Sequence, residues 1–258
     1  MENRNPPYLG RRQKLRQNSI YLLPNSFTIA ALFCAFYAIT QSMHGRFASA
    51  AIFIFLAMLL DGMDGRVARW TQSQSAFGEQ LDSLADMVSF GVAPALIVYN
   101  WQLHEFGKIG YAVAFVYCAC AALRLALFNT LIGKVDKKWF IGIPSPTAAA
   151  LVIGMVWLGY RYPSLFDGKS LSVLLMTLFA GLSMVVQIRF WSFKEWHIRR
   201  RAPFFSMVVV ILILAMLAME PAGVLFGFFL CYSLSGYVYW AWTKWKKRQT
   251  TPNLFTPQ

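Results

Sequence analysis

Acidic residues are scarce in this chain: 11 Asp and Glu stand against 24 Lys and Arg, for a formal net charge of +13 over 258 residues. Charge of either sign is thin, at 14% of the residues, which excludes an ordinary soluble surface. Cysteine is rare as well. Cys34, Cys118, Cys120 and Cys231 all sit in apolar runs, with no CxxC pair and no histidine partner in sequence, so neither a disulfide nor a zinc site is implied. His44, His104 and His197 are scattered and suggest no catalytic or metal role. There is no internal repeat and no low-complexity tract. The apolar runs lack polar alternation at every second residue, which argues against a membrane β-barrel.

What is present is hydrocarbon: 57% of the residues are apolar, and the mean hydropathy is +0.48. In lipid, unpaired backbone groups are costly, so long apolar runs predict helices. The expected fold is an all-α polytopic membrane protein of about eight transmembrane helices, over roughly 25–43, 47–69, 77–101, 109–131, 145–162, 170–188, 203–219 and 221–242. Pro24, Pro144, Pro203 and Pro221 fall at or just before segment starts, where a missing N–H does least harm. Glu220-Pro221 is nearly the whole turn between the last two spans. The first apolar run has no convincing cleavage site and is read as a retained helix.

The cations cluster at the ends of apolar segments, where topology needs them, so +13 does not point to nucleic acid. With the N-terminus inside, cytosolic segments hold 19 of the 24 Lys and Arg; four lie opposite, and Arg124 is within a span. Both termini are therefore expected in the cytosol. The chain divides into a basic N-terminal segment (1–23), a helical core (24–188), a basic loop (189–202), two further spans (203–243) and a basic tail (244–258). Residues 1–23 and 189–202 mix Arg and Lys with apolar and aromatic residues. That pattern suits helices lying at the headgroup level, or plain positive-inside anchors.

Against this background LDGMDGRVARWTQSQSAFGEQLDSLAD (60–86) stands out, because it gathers four of the chain's six aspartates. At about 100° per residue, Asp61, Asp64, Gly65, Ala68 and Arg69 share one helix face. Gly78, Asp82 and Asp86 form a stripe on the returning helix, after a cytosolic turn at about 70–76. Four carboxylates this close repel one another and are expensive in a membrane, so either protons or cations must sit among them. Hard divalent ions such as Mg²⁺ or Mn²⁺ suit oxygen ligands, and four carboxylates are enough for a two-metal site acting on a phosphorylated substrate.

The pattern Asp61-x-x-Asp64-Gly65-x-x-Ala68-Arg69, eight residues, then Gly78-x-x-x-Asp82-x-x-x-Asp86 resembles the signature of the CDP-alcohol phosphatidyltransferase family. LDSLADMVSFGVAPAL (81–96), ALRLALFN (122–129), FIGIPSPTAAA (140–150) and Pro24-Asn25-x-x-Thr28 are similar to its bacterial and archaeal phosphatidylserine synthases. One position departs: that group typically reads R-L-A-R-F-N, and here the second arginine is Leu127.

The resemblance implies an enzyme of the bacterial-type inner membrane, usually a homodimer, with a Mg²⁺ or Mn²⁺ site facing the cytosol. CDP-diacylglycerol and serine are its implied substrates, within a lipid bilayer. By resemblance Asp61, Asp64, Asp82 and Asp86 hold the metals, and Asp86 also serves as general base. Asp64, Gly65, Ala68, Arg69 and Gly78 border the nucleotide and its phosphates.

Arg124 is an intramembrane arginine. It binds a phosphate or the serine carboxylate, or it pairs with an aspartate. Asn25, Asn129 and Ser145 lie near the same face as acceptor or phosphate contacts, or as helix caps and interhelical bonds. Other acceptors in the same family (glycerol phosphate, inositol phosphate or choline) remain open, since KVDKKWF supplies lysines. An ion-coupled transporter, the rival from another class, should show midplane acids and repeated halves.

Overall fold

The computed structural model describes residues 11–73, 75–131, 139–166, 171–186, 189–191 and 203–249. Eight helical rods fill most of them. They are α1 (Arg11–Met43), α2 (Phe47–Trp70), α3 (Ala76–Trp101), α4 (Lys108–Leu131), α5 (Ser145–Arg161), α6 (Leu171–Val185), α7 (Pro203–Met219) and α8 (Pro221–Gln249). Among the described residues, α1 from Pro24, α2, α3, α4 and α8 are long and apolar enough to cross a bilayer. The other three rods have 15 to 17 residues, about 22–26 Å at 1.5 Å per residue.

α5 is the centre of the bundle. Its run Ala148–Val156 is buried at every residue, as expected of a helix that is apolar all round. α2, α3, α6 and α8 pack about it. Gly154 makes the α8 contact possible, because a Cβ there would lie 3.1 Å from Phe226 Cα. α7 is the opposite case. Met207–Met216 is exposed at every residue of this single chain, and among the described residues α7 leans chiefly on α8. Glu220 forms the turn between them, accepting from Tyr162 Oη at 3.0 Å and pairing with Arg161 Nε at 3.0 Å.

Three features depart from expectation. Helix α1 runs unbroken from Arg11 through Pro24, so this proline lies inside a helix and not at its start; its carbonyl accepts a bond from Thr28 Oγ1 at 3.3 Å. The fold is not purely helical. Strands β1 (Trp139–Ile141) and β2 (Arg189–Trp191) pair antiparallel, with Phe140 opposite Phe190. Arg189–Trp191 is therefore strand, where an interfacial helix is one of two expected readings; residues 192–202 lie outside those described, as does most of KVDKKWF. The runs WFI and RFW are aromatic and β-branched, suited to a pleat, but three residues are too few to register as a period.

The third departure is in α3. Its α-helical ends (Ala76–Asp86 and Ala93–Trp101) flank a π-helical stretch, Met87–Val92, closed by Ala93 N–H donating to Val88 C=O. Such stretches are rare and concentrate at functional sites. This one begins at the residue after Asp86.

Candidate active site

Ser75 starts the acidic hairpin's second arm. Its hydroxyl accepts from Gly78 N–H at 3.0 Å, a cap that fixes where α3 begins and hence where Asp82 and Asp86 point. The turn before it runs through Gln72, at φ +52. α2 and α3 then stand antiparallel with their acidic faces opposed. Carboxylate oxygens of Asp61, Asp64 and Asp82 all lie within 4.8 Å of one another. Asp86 reaches Asp61 at hydrogen-bonding range, and Asp82 likewise reaches Asp64.

Asp64 is the most enclosed of the four, at 6% exposure. Thr28 Oγ1 donates to its Oδ2 at 2.7 Å, and its Oδ1 accepts from Gly65 N–H. Thr28 lies on α1, one turn past Pro24, so the Pro-Asn-x-x-Thr stretch delivers an orienting hydroxyl to the carboxylate. From the sequence alone Thr28 has no evident role. Its place one turn after Pro24 and Asn25 is the only local signal, and its partner lies 36 positions away.

The donor set suits a hard divalent cation. Three converging carboxylates offer only oxygen, and Asp86 Oδ1 is buried without a hydrogen-bond partner among the described residues, an acceptor left unsatisfied. Outer-shell hydroxyls that orient such ligands typically change metal affinity or activity by about 10–100-fold. Thr28→Val should therefore weaken Mn²⁺ binding about tenfold, measured by isothermal titration, with the fold intact by circular dichroism. An unchanged affinity would separate Thr28 from the metal.

A cleft of about 190 Å³ opens on one side of these carboxylates. Asn25, Asp64, Gly65, Ala68, Arg69, Gly78 and Asp82 line it, bringing together the residues expected to border the nucleotide. Ser73, Ser75 and Glu79 also line it, and nothing in their spacing singles them out from sequence. At Gly65 a Cβ would meet open space, whereas at Gly78 it would come within 3.2 Å of Asn25 Oδ1. Gly65 thus leaves the cleft wall bare, and Gly78 lets α1 close against α3.

Arg124 and Ser145 do not line this cleft. Arg124 Nη1 donates to Ser145 Oγ at 3.1 Å, and its guanidinium is within electrostatic reach of Asp86. Arg124 Nε is buried without a hydrogen-bond partner among the described residues. Asn129 lies apart, its Nδ2 donating to Ser83 Oγ at 3.1 Å, an interhelical bond between α4 and α3.

Known proteins match this geometry's sequence frame. The family model for CDP-alcohol phosphatidyltransferase matches residues 21–185, which include every carboxylate of the cluster. The chain is 36% identical over 225 residues to a Helicobacter pylori CDP-diacylglycerol–serine O-phosphatidyltransferase, covering 86% of this chain and 92% of that one. It is 37% identical over 175 residues to the protein of that name from Bacillus subtilis, covering 67% of this chain and 92% of that one. With the protein of that name from Mycobacterium leprae the identity is 33% over 221 residues, or 83% and 71% of the two chains. The chain is a member of the CDP-alcohol phosphatidyltransferase family.

Proposed function

We propose that the protein moves the phosphatidyl group of CDP-diacylglycerol to the hydroxyl of L-serine, releasing CMP and forming phosphatidylserine. The names of its relatives favour serine, and the layout of the site supports the chemistry. One observation carries this reading. Asp86, with its unsatisfied buried oxygen, is within electrostatic reach both of the converging carboxylates and of Arg124, which bonds Ser145.

Each side chain then has a job. The cleft takes the cytidine nucleotide against Gly65 and Ala68, with Arg69 at its phosphates and Asn25 and Gly78 on the facing wall. Asp61, Asp64, Asp82 and Asp86 would hold divalent ions, Mg²⁺ or Mn²⁺ in a two-metal site, whose charge would offset that of the pyrophosphate and of departing CMP. Arg124 grips the serine carboxylate, since a planar guanidinium suits that group better than an ammonium does. Asp86 takes the hydroxyl proton as the serine oxygen bonds to the phosphatidyl phosphorus and the bond to CMP breaks. No covalent phosphatidyl-enzyme forms.

The excess of cations on one side supports an active site facing the cytosol, with both termini there, in a bacterial-type inner membrane. Resemblance to the family supports a homodimer, for which light scattering in detergent should give twice the 29.3 kDa chain mass.

The test of the reaction is direct. Detergent-solubilised protein is incubated with labelled CDP-diacylglycerol, Mn²⁺ or Mg²⁺, and serine, glycerol phosphate, inositol phosphate or choline in turn. Serine should yield a labelled aminophospholipid and stoichiometric CMP. Product with another acceptor and none with serine would overturn the assignment.

A further inference from the structure

Pro94 is the second residue of the α-helical run Ala93–Trp101 that ends α3. Proline has no N–H, so the carbonyl four residues before it, Phe90 C=O, cannot receive the regular α-helical bond, and the pyrrolidine ring crowds that carbonyl. The winding loosens just there. Met87–Val92 is π-helical, and the bond from Ala93 N–H to Val88 C=O spans five residues. Phe90 is fully buried, where a carbonyl left unpaired is costly.

α4 supplies a donor. Tyr117, also fully buried, donates from Oη to Phe90 C=O at 3.0 Å. One turn further along α4, the two helices are so close that a Cβ on Gly91 would lie 3.1 Å from Ala121 Cβ. The hydroxyl thus ties α3 to α4 at a stretch whose own ladder is interrupted. That stretch begins at the residue after Asp86, so its geometry sets where the Asp86 carboxylate leaves the rod. A phenylalanine at 117 would fill the same space without making the tie.

We infer that Tyr117 is a positioning residue for Asp86: its hydroxyl, held on a neighbouring helix, fixes the π-helical stretch next to which the general base projects. The inference rests on the reading of Asp86 as that base.

The test is a double-substitution cycle of Tyr117→Phe and Asp86→Asn in the full-length protein, in vesicles of phosphatidylethanolamine and phosphatidylglycerol. Tyr117→Phe should lower kcat about tenfold to a hundredfold, the scale on which a group misplaced by about 1 Å loses rate. The KM for CDP-diacylglycerol should stay within about twofold, because the cleft from Asn25 to Asp82 lies outside the stretch. In the Asp86→Asn background Tyr117→Phe should cost nothing further, since the group it positions is already gone. A tyrosine that served packing alone would lower kcat by the same factor in both backgrounds. Adding Pro94→Ala to Tyr117→Phe gives Phe90 C=O a local donor. The Tm lost with the hydroxyl should then return while kcat stays low, because the tie to α4 is still missing.

A wild-type kcat in Tyr117→Phe would overturn the inference, as would equal losses in both backgrounds or recovery of kcat with Pro94→Ala. Should Tyr117→Phe alone fail to fold, its combination with Pro94→Ala is compared with Pro94→Ala, and equal kcat overturns the inference. Failure of the functional reading looks different: Asp86→Asn by itself would turn over fully, removing the base and with it the inference.

Discussion

Asp86→Asn is expected to cut kcat by about a thousandfold, within the range that a positioned general base contributes. The substitution is nearly isosteric and removes the carboxylate that we propose takes the hydroxyl proton. An amide in its place can still donate to Asp61, so the α2–α3 contact survives. It also removes one of four mutually repelling carboxylates, so the metal-free protein should melt no lower than wild type. CDP-diacylglycerol should still bind, because the cleft from Asn25 to Asp82 is untouched. Full turnover with a normal KM would remove Asp86 from the chemistry. A collapse of nucleotide binding along with turnover would leave it only the metal-holding role and remove it as base.

Metal removal should have an effect of similar size. Exhaustive dialysis against EDTA is expected to abolish turnover, and Mn²⁺ or Mg²⁺ should restore it. Asp61, Asp64 and Asp82 point oxygens at a common centre, and among the described residues no ion pair neutralises them. In a setting of low dielectric that arrangement is unfavourable unless counter-charge is supplied. The ion should therefore stabilise the fold as well as support the reaction. Adding Mn²⁺ should raise the Tm in proportion to the logarithm of its concentration above the dissociation constant. Asp82→Asn should blunt that rise, because it withdraws one of the three converging carboxylates. Chelator-resistant turnover, or a Tm indifferent to Mn²⁺, would contradict the assignment of these carboxylates.

The helical rods and the acidic hairpin were legible in the sequence, because each depends on short-range periodicity. Asp61 and Asp64 are one turn apart, Asp82 and Asp86 another, and a tight turn forces the two stripes to oppose one another. What was not legible depends on contacts between distant positions. Thr28 meets Asp64 only because α1 packs beside α2, and nothing local marks a threonine in an apolar helix as an orienting group. Ser73, Ser75 and Glu79 join the cleft through the course of the turn, which spacing does not describe. The β1–β2 ladder pairs two three-residue runs separated by two helices. Pro24 misled for another reason: a proline in an apolar segment reads as a start, yet a long helix tolerates one when neighbouring rods hold it in place.

The π-helical stretch in α3 has a mechanical consequence. Six residues from Met87 to Val92 are wound more loosely than their neighbours, so the two halves of the rod are out of phase with a regular spiral. The stretch itself seats Gly91 against Ala121, and its Phe90 C=O accepts from Tyr117 Oη, while the turns before it still aim Asp82 and Asp86 at α2. Excising one residue there would rewind the rod by about 100°. Every contact on one side of the cut would stay seated, and the carboxylates on the other side would swing away from their partners like a key turned in the wrong lock.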